Sequence, residues 1–270
     1  MLTMTTFCCI RLLSFQLRSY TSMTIGTQLH RAAIEDDYDS IVIGSGMGGL
    51  TTAVCLAKAG HKVLVLERHY TAGGFTHTYQ RKGYEWDVGL HYIGEVHRKG
   101  SSMRRMFDFV SDAKLEWKEM DPVYDRIFVG SKPYDYVKGE AQFKAQMCEY
   151  FPEEKAAINT YVKLIKRVNW LASPFFLEKA LPPLLARLFY RKLTTPYLQY
   201  ANRTTGEVLK SLTQNERLIT VLSGQWGDYG LPPAESSFAM HALVAKHYLD
   251  GANYPVGGSA SIARSINDVL

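Results

Sequence analysis

Residues 38–74 read YDSIVIGSGMGGLTTAVCLAKAGHKVLVLERHYTAGG, and this stretch decides the fold. An apolar, β-branched run over residues 39–43 predicts a strand. It enters Gly44-x-Gly46-x-x-Gly49, and small residues then carry a predicted helix from about 47 to 59, closed by Gly60. A second apolar run over residues 62–66 ends in Glu67. Strand, glycine turn, helix, strand and acid, in that order, form the βαβ dinucleotide-binding pattern.

Each residue type in it has a physical task. Gly44 permits a tight turn out of the strand. Gly46 has no Cβ, so a pyrophosphate can approach the backbone, and Gly49 lets the helix lie close to the sheet. The first amides of the helix and its positive end favour phosphate. Glu67 follows Gly46 by 21 residues, where an acid accepts hydrogen bonds from a ribose hydroxyl. A carboxylate there repels a 2′-phosphate, which argues against NADP at this site. The fingerprint alone leaves FAD and NAD both open.

Composition narrows the class. At 270 residues the chain accommodates one large domain or two modest ones. Its 46% hydrophobic and 21% charged content fits a soluble or peripherally bound globular enzyme. A net charge of only +5, with no basic run interleaved with aromatics, argues against nucleic acid as a partner. No stretch has the length of a charge-free transmembrane span. Cys8, Cys9, Cys55 and Cys148 show no metal-ligand spacing. Neither a metal site nor a disulfide framework is expected, and a reducing compartment is the default.

The first 34 residues differ from the rest: their charged side chains are Arg11, Arg18 and Arg31, and no acid precedes Glu35. Two readings stay open. One is a mitochondrial transit peptide with a processing site at residues 18–22. The other is an extension ahead of a true start at Met23. Residues 1–34 are expected to be a disordered leader in both. The expected location is the cytoplasm or a membrane surface, with mitochondrial import if residues 1–22 are genuine.

Beyond Gly74, residues 75–80 and 84–87 predict a hairpin around Arg81-Lys82-Gly83. Residues 88–94, VGLHYIG, read as a glycine-flanked loop suited to face a flat ring. His91 and Tyr92 within it are weak catalytic candidates, and on chemistry alone His91 reads first as a buried structural histidine. A helix and strand follow over residues 101–120, then a second hairpin over 123–129 and 133–137. Helices are predicted over 140–150, from Pro152 to about 170, after the capping box Thr204-x-x-Glu207, after the cap Asn215, and over 234–248 and 259–270. Residues 161–192 hold seven basic side chains against one acid, Glu178, among apolar anchors. That pattern suits contact with an anionic bilayer over residues 163–192, or a lid packed on the protein.

A second glycine pair, Gly73-Gly74, closely follows Glu67-Arg68. This is similar to the FAD-binding pattern of amine oxidases and carotenoid desaturases. The segments YDSIVIGSGMGGL, LERHYTAGGFTHT, WDVGLHYIGEV, QWGDYGLPP and YPVGGSASIARSI together resemble the retinol saturase branch of the carotenoid desaturase flavoproteins. The resemblance implies an α/β fold: a Rossmann-like FAD-binding domain with an inserted α+β substrate domain. Residues 35–100 would begin the FAD domain, 101–250 would form the mostly helical, membrane-facing substrate domain, and 251–270 would begin the return. Gly44, Ser45, Gly46, Gly48 and Gly49 would hold the pyrophosphate, Glu67 the ribose with Arg68 beside it, and Gly73, Gly74 and Phe75 would line the cofactor. His91 and Tyr92 would lie toward the flavin ring. Many relatives carry arginine where Phe75 stands, which puts one flavin contact in doubt.

The implied activity is FAD-dependent saturation or desaturation of a retinoid or carotenoid polyene, an apolar substrate selected by shape. A polyene isomerase and a non-catalytic apolar-ligand or membrane-binding module are the competing readings. NAD is the alternative dinucleotide. Relatives of this type are substantially longer, so a C-terminally truncated chain of doubtful activity is expected.

Overall fold

The computed structural model describes residues 24–32, 34–35, 37–90 and 92–270. Residues 1–23, with the candidate processing site, and His91 lie outside the described residues. In chain order the elements begin with β1 (Ser40–Ile43), α1 (Met47–Lys58), β2 (Val63–Leu66), β3 (Thr78–Arg81), β4 (Tyr84–Asp87), β5 (Ile93–Gly94), α2 (Ser102–Val110) and β6 (Trp117–Glu119). Next come β7 (Val123–Val129), β8 (Lys132–Val137), α3 (Glu140–Tyr150), α4 (Lys155–Ala180), α5 (Pro183–Ala201), α6 (Thr205–Leu212), α7 (Glu216–Leu222) and α8 (Phe238–Tyr248). The chain then runs into β9 (Ala252–Pro255) and α9 (Ala260–Asn267).

These elements make two compact units. One holds residues 24–120 with Ala252–Leu270, and the other is Asp121–Gly251. The expected boundary at residue 100 is therefore corrected to residue 120. The reason is packing: Phe107 and Val110 of α2, with Leu115, are buried in one core with Leu50 and Val54 of α1 and with Ile262 and Ile266 of α9. Ser101 caps α2, accepting from the Arg104 N–H at 3.0 Å.

The expectation of a disordered leader through residue 34 is corrected as well. Ile25 is buried in the same core. Its N–H donates to Thr71 Oγ1 at 2.9 Å and its carbonyl accepts from the Ala72 N–H at 3.1 Å. A lone apolar residue with both backbone groups paired leaves no periodic signal in sequence.

In the first unit β1 and β2 pair in parallel, Ser40 opposite Val63 through Ile43 opposite Leu66, with α1 as the crossover. Ile41 and Ile43 of β1 are exposed. The hairpin β3–β4 turns on Lys82 and Gly83, both at positive φ (53° and 81°), as a tight two-residue turn requires. β5, β9 and β6 form a three-stranded antiparallel sheet with β9 in the middle. The loop expected over residues 88–94 thus ends in a strand, and residues 252–255 are a strand that periodicity did not signal. Strands this short carry too few alternations to be read, and the partner of Ile93 is Asn253.

In the second unit β7–β8 is the expected hairpin. Both halves of the capping box at α6 form: the Glu207 N–H donates to Thr204 Oγ1 (3.1 Å) and the Thr204 N–H to Glu207 Oε2 (2.9 Å). Asn215 caps α7 through the Leu218 N–H at 3.1 Å. Helix α4 does not stop near residue 170 but runs through Pro174 to Ala180. The proline forfeits one backbone hydrogen bond. Burial of Leu171 and Ala172, with Phe175 stacked on Tyr197 of α5 at 4.5 Å, holds the helix across it. Helix α8 starts at Phe238 rather than 234, capped by Ser237. Its His241 is buried between two tyrosines: Tyr161 Oη lies 3.0 Å from Nε2 and Tyr229 Oη 3.1 Å from Nδ1. Burial lowers its pKa to about 4, because nothing there solvates the imidazolium. Among the described residues no helix is long and apolar enough to cross a membrane.

Candidate functional site: a dinucleotide cradle

The turn between β1 and α1 is built by exclusion. A Cβ on Gly49 would sit 1.9 Å from the Gly44 carbonyl oxygen, so only glycine lets α1 start this close to the strand end. Gly44 itself is at φ 97°, a conformation side chains resist. Gly46 is the N-cap of α1, with no side-chain cap. Cβ atoms built on Gly46 or Gly48 would meet nothing within 4 Å. The helix start therefore presents backbone N–H groups to open space, the arrangement that receives a phosphate.

Gly73 and Gly74 close the cradle from the other side. Both have positive φ, 117° and 56°. A Cβ on Gly74 would lie 2.8 Å from Gly46 Cα, so this backbone passes directly over the first turn. A Cβ on Gly73 would lie 3.0 Å from Ala263 Cβ of α9. The Gly73 N–H donates to the Ser45 carbonyl at 3.1 Å and approaches Ser45 Oγ at 3.2 Å.

Glu67, just past β2, faces the same turn. Its Oε2 accepts from the Ser45 N–H (2.8 Å) and the Ser45 hydroxyl (2.6 Å), and its Oε1 from the His69 N–H (2.8 Å). The Ser45 hydroxyl first, then the backbone amides, pull its pKa down to about 2. Glu67 is thus an anion at every ordinary pH. Arg68 is exposed beside it.

Gly44, Ser45, Gly46, Gly48, Gly49, Glu67, Gly73 and Gly74 thus converge on one turn. Phe75 is 79% exposed, with its ring over Gly89, where an added Cβ would come within 2.8 Å of Phe75 Cβ. Tyr92 is buried. Among the described residues no group of three or more His, Cys, Asp or Glu side chains is placed to hold a metal ion.

Asp87, at the end of β4, went unsingled in the sequence reading. Its Oδ1 accepts from the Ser259 hydroxyl (2.6 Å) and N–H (3.3 Å), and its Oδ2 from the Tyr254 hydroxyl. Burial, and then the anion beside it, push the Tyr254 pKa up. This carboxylate ties the turn after β9 to the hairpin and so seats α9 against Gly73. The sequence cue was an acid inside the apolar run WDVGL.

The fold and the cradle define a dinucleotide-binding protein of the Rossmann-like class. A family described as NAD(P)-binding Rossmann-like domain matches residues 42–110. All-trans-retinol 13,14-reductase of Danio rerio is 40% identical over 238 residues, which are 85% of this chain and 39% of that protein. Prolycopene isomerase 1, chloroplastic, of an Oncidium hybrid cultivar is 29% identical over 255 residues, 91% of this chain and 43% of that protein. The structure of wild-type putrescine oxidase bound to putrescine superposes with a TM-score of 0.55 at 18% identity, over 86% of this chain and 49% of that one. Over most of its own length the chain is similar to the all-trans-retinol 13,14-reductases and, at lower identity, to the prolycopene isomerases. It spans about two-fifths of the length of these curated relatives.

Proposed function

We propose that this chain carries the dinucleotide-binding part of an FAD-dependent oxidoreductase that acts on carbon–carbon double bonds of a retinoid or carotenoid. The observation that carries the reading is the closed cradle, with Gly74 laid on Gly46 and Glu67 anchored to Ser45. Its residues fit FAD: the α1 amides at Gly46 to Gly48 would hold the pyrophosphate, and Glu67 would accept from the adenosine ribose. The tight passage of Gly73 and Gly74 would offer the cofactor backbone rather than side chains. When bound, FAD supplies hydride transfer, and the protein orients the partners and excludes water. An uncharged polyene offers nothing for an ion pair, so selection rests on shape and apolar burial. Buried Tyr92 and its neighbour His91 are the candidates to hold a proton near the ring.

The test is reconstitution. The purified chain is incubated with FAD, desalted, and its visible spectrum recorded. Retained stoichiometric flavin supports the cradle, and a colourless protein whose fold is intact removes the FAD reading. Flavin-loaded protein is then reduced and offered retinol. A product heavier by two hydrogens supports a saturase. The similarity to prolycopene isomerase favours a second reading, in which the product has unchanged mass and altered double-bond geometry.

A further inference from the structure

The helical hairpin formed by α4 and α5 ends in a stretch in which no side chain is fully buried. The buried side chains of α5 are Thr194 and Tyr197, so no residue from Pro183 to Leu193 is buried. At 1.5 Å per residue this is about 16 Å of helix held away from the core. Its sequence is not that of a solvated helix. Leu184 and Leu188, one turn apart, are 79% and 72% exposed, and Leu185 and Phe189 repeat the spacing on the adjacent line. Across the Leu181–Pro182 turn, Phe176 and Leu177 near the end of α4 are exposed too. Solitary exposed leucines need no explanation, whereas a continuous apolar tip does.

Charge identifies what covers it. Arg187, Arg191 and Lys192 share this exposed stretch. The acid nearest the tip, Glu178, is already paired with Lys179 at 2.6 Å. A second copy of the chain seated symmetrically on this face would bring these cations onto one another. A lid folded on the protein would bury some of the leucines. Apolar side chains flanked by cations match an anionic lipid surface, where the leucines enter the acyl boundary and the guanidinium groups meet the phosphates. Neither helix can span the bilayer. We infer that the tip of the α4–α5 hairpin is an interfacial anchor that docks the second unit on an anionic bilayer. Proline favours the first turn of a helix, and Pro183 there sets the tip as a preformed element.

The experiment is vesicle co-sedimentation of the full chain without flavin, so its outcome is separate from that of FAD binding. Phosphatidylcholine vesicles are compared with vesicles containing one-third phosphatidylserine. The expected result is about tenfold or stronger partitioning to the anionic vesicles, weakened by salt. Leu184→Ser with Leu188→Ser is expected to abolish binding. Arg187→Gln, Arg191→Gln and Lys192→Gln together are expected to reduce it to the neutral-vesicle level. All five positions are exposed, so circular dichroism and Tm should match the parent. Absence of binding to either vesicle overturns the inference. So does binding that the variants leave unchanged, or concentration-dependent self-association, lost in the leucine variant, without vesicle binding.

Discussion

Ser45 donates both its backbone N–H and its hydroxyl to one oxygen of Glu67, which lies 22 residues further along the chain. The acid that follows β2 is therefore set by the turn that opens α1. Its carboxyl titrates near 2 in the fold against an ordinary value of 4.5. A depressed carboxylate pKa contributes stability above about pH 4.5 that is lost as pH falls through about 2. Glu67 is exposed, so solvent screens that contribution and it is small. A carboxyl ¹³C NMR titration should place the midpoint near 2. In Ser45→Ala, which removes the hydroxyl and keeps the backbone bonds from residues 45 and 69, the midpoint should move upward. An unchanged midpoint would show that Ser45 does not set it.

The cradle glycines should separate fold from binding. Gly49→Ala puts a methyl on the Gly44 carbonyl, backbone against backbone, and should cost about 3 kcal/mol or more. Gly46→Ala meets nothing in the protein and should melt within a few degrees of the parent. Its methyl would occupy the phosphate approach, so flavin affinity should fall about tenfold or more. Chemical denaturation and flavin titration of the two variants check both halves. Equal stability losses would remove the distinction.

Asp87 should behave as a structural anchor. Asp87→Ala removes acceptors for Tyr254 and Ser259 and should destabilise the first unit by about 2–3 kcal/mol. A double-mutant cycle with Ser259→Ala should show coupling of about 1 kcal/mol, because one interaction is counted in both single changes. Additive effects would deny the link.

His241 supplies a pH signature for the second unit. A neutral imidazole can donate to one tyrosine and accept from the other, and a second proton would break that arrangement. Its pKa falls from 6.5 unfolded to about 4 folded. The neutral form is the one the fold holds, so stability is full above about 6.5 and declines as pH falls toward 4, by about 3 kcal/mol in all. Thermal melts across that range should show the decline, and His241→Gln should flatten it. A parent protein with pH-independent melting would contradict the buried neutral histidine.

The cradle was legible in the sequence because its rules are local. Gly44 answers to a positive-φ turn, and Gly49 to a close approach to the Gly44 carbonyl five residues away. Capping at Thr204 and Asn215 was legible for the same reason. The central strand β9 was not, since Asn253 pairs with both Ile93 and Glu119 and nothing near it in sequence announces either partner. The passage of α4 through Pro174 depends on Tyr197, one helix later. Ile25 joined the core with no pattern around it to read.

The bond from Ser259 to Asp87 spans 172 residues. At ribosomal rates of about 5–20 residues per second, the hairpin is made roughly 10–35 s before the side chain that anchors to it exists. Throughout that interval the glycine pair lacks the helix that backs Gly73, while the whole of Asp121–Gly251 is synthesised in between. Nascent protein thus passes through a period with its glycine turn synthesised and the support for it still missing. During that time a chaperone or an early-binding cofactor has the most to act on.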